Sequence, residues 1–260
     1  MTALDEVLDE FHSDLERAEH LLGLIKDFRA FAAADPPDEI TSGAVSWPEA
    51  VELRATAASL RTDLPVLSGS LLLYICGRFE FFIREVVTSL ADELTSQVAT
   101  FTDLPTKMQD ELRARTLDVA QSPGKYGYSK GAADQLLLDL AKILVVPTTP
   151  MAGLSSRVLS ITESNMHSRA VVEIFKRVNI SDLWNELGKQ APLKVLFSEG
   201  AERQCTVAVT SRLDLIMQER NGVAHPTAST TFPDPDQVLE AVEFFRVLSR
   251  VMVDVVKVPR

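Results

Sequence analysis

The sequence predicts an all-α protein, and three observations lead to that prediction. Apolar residues recur at intervals of three and four over long stretches, as they do on one face of a helix. No segment alternates apolar and polar residues convincingly, and no repeat of about 20 to 50 residues is visible. Hydrophobic residues make up 46% and charged residues 24% of the 260 residues, which favours a globular protein with a sizeable core over a disordered chain.

The N-terminal part of the chain predicts two helices. Apolar residues at helical spacing from Leu4 to Phe31 predict a long amphipathic helix, which the Asp35-Pro36-Pro37-Asp38 stretch ends. Ser46, followed by Glu49, has the form of a capping box, so we expect Ser46 to be the N-cap of a second helix that runs to about Leu60.

The segment from Val66 to Val98 is apolar and too long for a strand, which predicts a buried central helix. From Phe101 to Ser129 the prolines and glycines predict a shorter helix and a Tyr-Gly loop. The last helix should begin at Asp234 as N-cap, with Pro235 and Gln237 in its first turn. Further helices are predicted at about Ala132 to Leu144, before Pro147 and Pro150, at Asn165 to Arg177, after Ser181 as N-cap, and at Gln204 to Asn221.

We interpret the chain as a single helical domain of residues 1–260. Residues 1–62 form an N-terminal helical extension in this interpretation, and residues 66–260 form a core with a loop-rich insertion around 101–131. The N-terminus is acidic and has no basic or apolar leader, and the longest apolar runs stop short of the roughly 20 residues that span a bilayer. We therefore expect a cytoplasmic protein without a membrane segment.

The formal net charge of −11 argues against a protein that coats nucleic acid non-specifically, because such binding needs cations at the phosphates. A small basic cleft remains compatible with that charge. Cys76 and Cys205 have no second cysteine nearby, so buried thiols are expected instead of a zinc site. His12 and His20, eight residues apart on an amphipathic helix, do not form a metal-binding pair either, and no metal or cofactor is predicted.

The glycine-rich segment from Gly124 to Gly131 superficially resembles a phosphate-binding loop. It lacks the GxxxxGK[ST] spacing and follows no strand, so we expect an exposed loop instead of a nucleotide hydrolysis site. Its aromatic and basic side chains could stack on bases and hold phosphates, and they are candidates for RNA binding: Lys125, Tyr126, Tyr128 and Lys130.

The segment from Arg220 to His225 holds the candidate catalytic residues. His225 is the one histidine of four that closely follows an arginine and an asparagine at the end of a predicted helix. Pro226 disfavours helical backbone at His225, so the helix should end at about Ala224 and present the imidazole beside a loop. Asn221 and His225 are four residues apart, which places both side chains on one face if the helix persists that far.

These residue types suffice for RNA cleavage by transesterification, in which the ribose 2′-OH attacks the adjacent phosphorus. An imidazole with a pKa near neutral can take or give the proton, and an amide can fix its orientation. A guanidinium can hold the phosphoryl oxygens and stabilise the charge that builds up in the transition state.

Arg220-Asn221-x-x-x-His225 resembles the RNxxxH motif of the HEPN superfamily (higher eukaryotes and prokaryotes nucleotide-binding domain). Gly77 to Glu85 is similar to the glutamate-bearing helix of the RiboL-PSP-like HEPN branch, and Asn165 to Ile180 also resembles that branch. The resemblance extends from Val66 to the C-terminus. It implies a HEPN-type helical bundle with additional N-terminal and peripheral helices, and many HEPN proteins are metal-independent RNases.

The resemblance implies that Arg220 and His225 are the catalytic pair, with Asn221 as a polar supporter and Glu80 as an acidic residue that orients one of them. It also implies a homodimer in which both protomers contribute the motif to one cleft. Toxin or antiviral defence activity, with an antitoxin or other defence partner, is the biology that such proteins usually have.

Two other interpretations remain open at this point. The chain could be a non-catalytic HEPN module that binds a partner protein or a nucleotide, although the intact Arg220 and His225 count against that. The chain could also be a helical scaffold in which the motif occurs by chance.

For Glu80, an ion pair with Arg84 four residues later is as compatible with the sequence as a role in the site.

Overall fold

The structure, a computed structural model, describes residues 2–44, 46–60, 62–146, 151, 154–162, 165–227 and 229–257. All regular elements within these ranges are helical, which confirms the predicted all-α class. Short 3₁₀ helices occupy Phe101–Asp103, Pro123–Tyr126 and Ser156–Ser160. The α-helices of the described ranges are α1 (Ala3–Ala33), α2 (Asp38–Thr41), α3 (Pro48–Ser59), α4 (Leu64–Ser96), α5 (Thr106–Gln121), α6 (Lys130–Val145), α7 (Ser168–Lys176), α8 (Leu183–Gly188), α9 (Ala191–Phe197), α10 (Glu202–Ala224) and α11 (Pro235–Val256).

The long helices lie where the apolar spacing predicts them, but two of the predicted caps are wrong. Helix α3 begins at Pro48 with Trp47 as its N-cap, and no side chain caps it, so Ser46 lies outside the helix. Helix α8 has Asp182, and not Ser181, at the N-cap position. Helix α11 begins as predicted, because the Gln237 side chain accepts a 2.9 Å hydrogen bond from the Asp234 N–H. Pro147 and Pro150 lie outside the described residues.

The chain forms two compact units, and their boundaries fall within α1, α4, α10 and α11. The first unit consists of Met1–Glu10, Phe79–Met217 and Leu248–Arg260, and the second consists of Phe11–Arg78 and Gln218–Val247.

The core of the first unit forms around the C-terminal part of α4. Phe79 and Phe82 are buried there with their rings stacked at 6.3 Å. Helix α8 approaches the start of α10 closely at Gly188, where a Cβ atom would lie 2.1 Å from Oγ1 of Thr206. Since real Cβ atoms do not approach other atoms so closely, only glycine fits at this crossing.

Helix α7 of the first unit receives its N-terminal cap from two sources. The His167 side chain accepts a hydrogen bond from Ala170 N, as a local N-cap does. Asp214, which lies on α10, accepts hydrogen bonds from the Ser168 backbone N at 2.7 Å and from its hydroxyl at 2.8 Å. A carboxylate at this end of a helix satisfies a free N–H group and interacts favourably with the helix dipole.

In the second unit, α1 contributes most of its buried face to the core. Phe11, Leu15 and Leu22 are buried, and the Phe11 ring meets the Phe245 ring edge to face at 6.4 Å. Arg246 of α11 forms a bidentate ion pair with Glu19 of α1, with nitrogen–oxygen distances of 2.9 and 2.6 Å. The N-terminal helix is thus an integral part of this unit.

The second unit also contains a buried carboxylate. The side chain of Asp14 is 4% exposed, and it accepts hydrogen bonds from the Tyr74 hydroxyl at 2.7 Å and from Arg78 Nε. Arg17, on the same helix as Asp14, donates a further hydrogen bond from a largely exposed position. Burial, and then the hydrogen bond to Asp14, raise the pKa of the Tyr74 hydroxyl above its ordinary value. Three donors around one buried carboxylate supply the compensation that a desolvated charge requires.

Helix α4 is long and apolar enough, by length and composition alone, to cross a membrane, and 44% of its most apolar stretch is buried within the protein. A core helix of a soluble protein passes the same test. Cys76 and Cys205 are both buried thiols, as the sequence predicts.

Candidate functional site

The candidate catalytic residues lie at the C-terminal end of α10, in the second unit. The helix ends at Ala224, as Pro226 predicts, and the His225 N–H donates the last helical hydrogen bond to the Asn221 carbonyl at 3.0 Å. The two side chains are therefore one helical turn apart on the same face of the chain. Both residues are exposed, so the imidazole is presented to solvent at a helix end.

Arg220 contacts the side chain of its neighbour, Asn221. Its Nη1 donates a hydrogen bond of 3.2 Å to the side-chain oxygen of Asn221, and Arg220 itself is half-buried. The bond occupies one of the several N–H groups of the guanidinium and orients its plane, which leaves other donors for a phosphate. The structure thus places Arg220, Asn221 and His225 at one helix end, with a side-chain hydrogen bond between Arg220 and Asn221.

Packing inside the second unit holds this helix end in place. Val223, which lies within the motif, is buried. A Cβ atom on Gly69 of α4 would lie 3.2 Å from Cγ1 of Val223 and 2.7 Å from Cδ1 of Phe232. Helix α4, the last turn of α10 and the chain that follows His225 therefore meet at a position that has no side chain. This close approach packs the last turn of α10 and the segment after it against α4.

The segment between His225 and α11 is stabilised by a turn at its beginning and by ion pairs at its end. Thr227 and Thr230 close a turn, with a 2.7 Å hydrogen bond from the Thr227 backbone N to the Thr230 hydroxyl. Beyond it, Asp236 in the first turn of α11 forms an ion pair of 2.6 Å with Lys26, and Asp234 pairs with Arg29. Lys26 and Arg29 both lie on α1, so these ion pairs join α1 to the start of α11.

Glu80 belongs to the first unit, whereas the motif belongs to the second. It lies on α4 within the first unit and forms an ion pair with Arg84, whose Nη2 also donates to the Thr162 hydroxyl at 3.3 Å. This i,i+4 pair is the arrangement that the sequence allowed as an alternative to a site role. A role for Glu80 toward the motif stays a prediction.

The four residues proposed to bind RNA also lie in the first unit, where the segment is more ordered than the expected loop. Pro123–Tyr126 is a 3₁₀ helix, and the Lys125 ammonium lies 5.3 Å from the centre of the Tyr126 ring, in a cation–π contact. Lys130 is the first residue of α6, which Ser129 caps. Burial raises the pKa of the Tyr128 hydroxyl above its ordinary value, against the opposing charge of Arg157.

Among the described residues, no group of three or more His, Cys, Asp or Glu side chains could hold a metal ion. Gly69 and Phe232 pack beside the helix end that carries the motif, and the sequence alone did not identify them. A glycine inside a long apolar helix is the one signal that could have drawn attention to Gly69, because such a glycine costs helix stability and often marks a close contact.

Comparison with known proteins gives one positive finding. The family model described as RiboL-PSP-HEPN matches residues 53–258, which include the motif and most of the segment from Val66 onward. No curated protein and no solved structure matches the chain.

Proposed function

Because the chain belongs to the RiboL-PSP-HEPN family, we propose that it is a metal-independent endoribonuclease that uses Arg220 and His225. Membership in this family indicates a nuclease-type or RNA-related module. The observation that carries the finer proposal is the arrangement of Arg220, Asn221 and His225 at one exposed helix end.

The proposed reaction is an internal transesterification of RNA. One His225 imidazole takes the proton from a ribose 2′-OH, and the resulting oxygen forms a bond to the adjacent phosphorus. The bond from phosphorus to the 5′-oxygen breaks, and a second acid protonates that oxygen as it leaves. Arg220 holds the non-bridging oxygens and offsets the negative charge of the transition state. The products are a 2′,3′-cyclic phosphate and a 5′-hydroxyl end.

A second copy of the chain supplies the other half of the site in this proposal. One helix end offers a single imidazole, whereas the reaction uses a base and an acid. Two motifs in one cleft provide both groups, and two Arg220 side chains provide local positive charge that the total of −11 does not reveal. Lys125, Tyr126, Tyr128 and Lys130 are proposed to contact RNA outside this cleft, and Glu80 is proposed to act as an acidic support.

We propose that the protein acts in the cytoplasm as a toxin or antiviral effector, under the control of an antitoxin or other defence partner. An RNase with an exposed motif needs such control if it is to spare the RNA of its own cell. The carrying observation here is the exposure of Asn221 and His225, which leaves the motif open to substrate and to a neutralising partner alike.

The test is incubation of the purified protein with total RNA in the presence of EDTA, followed by analysis of the RNA ends. Cleavage should persist in EDTA and leave 2′,3′-cyclic phosphates. His225→Ala should lower the rate by roughly 10²- to 10⁴-fold, as expected for loss of a general acid or base. Arg220→Ala should abolish cleavage, and Arg220→Lys should retain part of it because lysine keeps the charge but not the planar fork.

His20→Ala is a matched control, because it removes an exposed histidine of α1 that has no proposed role in cleavage. Cleavage that chelation abolishes would contradict the mechanism, as would equal cleavage by wild-type protein and the His225→Ala variant. RNA left intact by the wild-type protein would favour the non-catalytic HEPN module that binds a protein or a nucleotide.

A further inference from the structure

An apolar track runs along the outer face of α1 in the second unit. Leu21, Leu24, Phe28 and Phe31 follow one another at intervals of three, four and three residues, so they share one face of the helix. Leu21 is 49% exposed, Leu24 is 64% exposed and Phe31 is 38% exposed, although leucine and phenylalanine are usually buried. Ten residues of helix make the track about 15 Å long.

The track leads into a cavity at its C-terminal end. The cavity has a volume of about 720 Å³, and its walls come from the end of α1, the following proline-containing turn, α2 and α3. Phe31 belongs to both track and cavity, and Trp47 and Val51 line the cavity while remaining more than half exposed. Arg54 also lines it, and its Nε donates a 3.1 Å hydrogen bond to the Ala34 carbonyl in the wall.

The charges that border these apolar surfaces are mostly negative. Residues 21–60, which span the track and the cavity, contain six acidic residues, two arginines and one lysine. Lys26 is paired with Asp236 and Arg29 with Asp234, and Arg54 lies in the cavity wall. The acidic residues of this stretch, all exposed, are Asp27, Asp35, Asp38, Glu39, Glu49 and Glu52.

We propose that the track and the cavity bind an amphipathic helix of a partner protein that is apolar on one face and basic on the other. An elongated apolar track is the shape that a helix fills, and a cavity with aromatic walls accepts a large side chain as an anchor. The acidic border selects a cationic partner. It also repels nucleic acid, anionic lipid and a second copy of the same border.

This inference does not depend on nuclease activity, because none of the residues that form the surface belongs to the motif. The binding experiment therefore gives its answer whether or not the protein cleaves RNA, and the cleavage experiment gives its answer whether or not the partner helix binds.

The probes are two fluorescein-labelled peptides of about 18 residues, which is roughly five helical turns. Both carry leucines at intervals of three and four, and the remaining positions are lysine in one peptide and glutamate in the other. Fluorescence anisotropy with the full chain should show that the lysine peptide binds at least tenfold more tightly than the glutamate peptide. Trp47 emission should shift to shorter wavelength on binding, and Trp47→Phe should remove that shift and leave buried Trp184 as the background.

Two sets of variants test the surface itself. Leu24→Gln with Val51→Gln should weaken binding of the lysine peptide at least tenfold, and Glu49→Gln with Glu52→Gln should weaken it and reduce its dependence on salt. Val195→Gln is the matched control, since Val195 is 78% exposed in the first unit, and it should bind as the wild type does. Far-UV circular dichroism should be unchanged, because all five positions are exposed.

Equal binding of the two peptides would overturn the proposal, and so would full binding by the Leu24→Gln and Val51→Gln variant. Light scattering supplies a further check. Self-association of the wild-type chain that this same variant abolishes would show that a second copy covers the surface, and it would also overturn the proposal.

Discussion

Gly69 and Phe232 are in such close contact that residue 69 has no room for a side chain. A Cβ atom there would lie 2.7 Å from Cδ1 of Phe232. Phe232 follows the proposed catalytic histidine by seven residues and lies between it and α11. The segment that follows the motif therefore packs against a glycine that lies far from it in the sequence.

Gly69→Ala should destabilise the protein although alanine favours helices. A new methyl group must displace the Phe232 ring and press on Val223, and overpacking of this kind costs about 1 to 3 kcal/mol. Gly77→Ala is the control in the same helix, because nothing lies within 4 Å of its Cβ position. It should stabilise the protein by up to about 1 kcal/mol. Urea denaturation measures both, and equal stabilisation by the two substitutions would show that the contact imposes no constraint.

Asp14→Asn should lower the free energy of unfolding by about 3 kcal/mol, because it leaves Arg78 without its carboxylate in a largely buried setting. Arg17→Ala removes another donor from the same carboxylate, but the Arg17 side chain is 68% exposed. That variant should lose less than about 1 kcal/mol. Thermal and urea denaturation should separate the two variants clearly. Similar losses in both would mean that burial of Asp14 carries no special cost.

Asp214→Ala should cost about 1 to 2 kcal/mol, since it removes the acceptor for the Ser168 N–H at the start of α7. Glu219→Ala, at an exposed position of the same α10 helix, is the control and should change stability by less than about 0.5 kcal/mol. Amide hydrogen exchange in α7 should rise in the Asp214 variant and not in the control. Unchanged exchange at α7 would refute the capping role.

Mixing of inactive and active chains tests the composite cleft. After exchange of subunits between equal amounts of wild-type and His225→Ala protein, about one quarter of the dimers contain two wild-type chains. The rate of RNA cleavage should therefore fall to about one quarter of that of an all-wild-type sample, and not to the one half expected of independent sites. A value near one half would exclude a cleft that needs both motifs. The control is wild-type protein diluted with buffer until the concentration of wild-type chains equals that in the mixture.

Apolar spacing predicted the long helices correctly because burial of one helix face imposes that spacing on the sequence. Caps were harder to predict, since they depend on partners that the local sequence does not contain. Ser46 had a favourable spacing, yet α3 begins two residues later without a side-chain cap. Conversely, Asp214 caps α7 from a position 46 residues away along the chain.

The candidate site also contains some residues that the sequence could predict and others that it could not. Arg220, Asn221 and His225 could be predicted as a group because they are close in sequence and Pro226 marks the end of their helix. Gly69 could not be linked to them, because its contact with Phe232 depends on how α4 packs. The role of Asp14 could not be predicted either. A carboxylate on an amphipathic helix looks exposed until Tyr74 and Arg78, 60 and 64 residues away, are found beside it.

The burial of α1 has a consequence for fragments of this protein. The family match begins at residue 53, after α1 has ended, yet Leu15, Ala18 and Leu22 of that helix are completely inaccessible to solvent. A polypeptide cut to the matched residues would expose the apolar surface that these side chains cover, and it would leave Arg78 without Asp14. Such a fragment should aggregate on expression, and adding α1 back as a separate peptide should restore solubility.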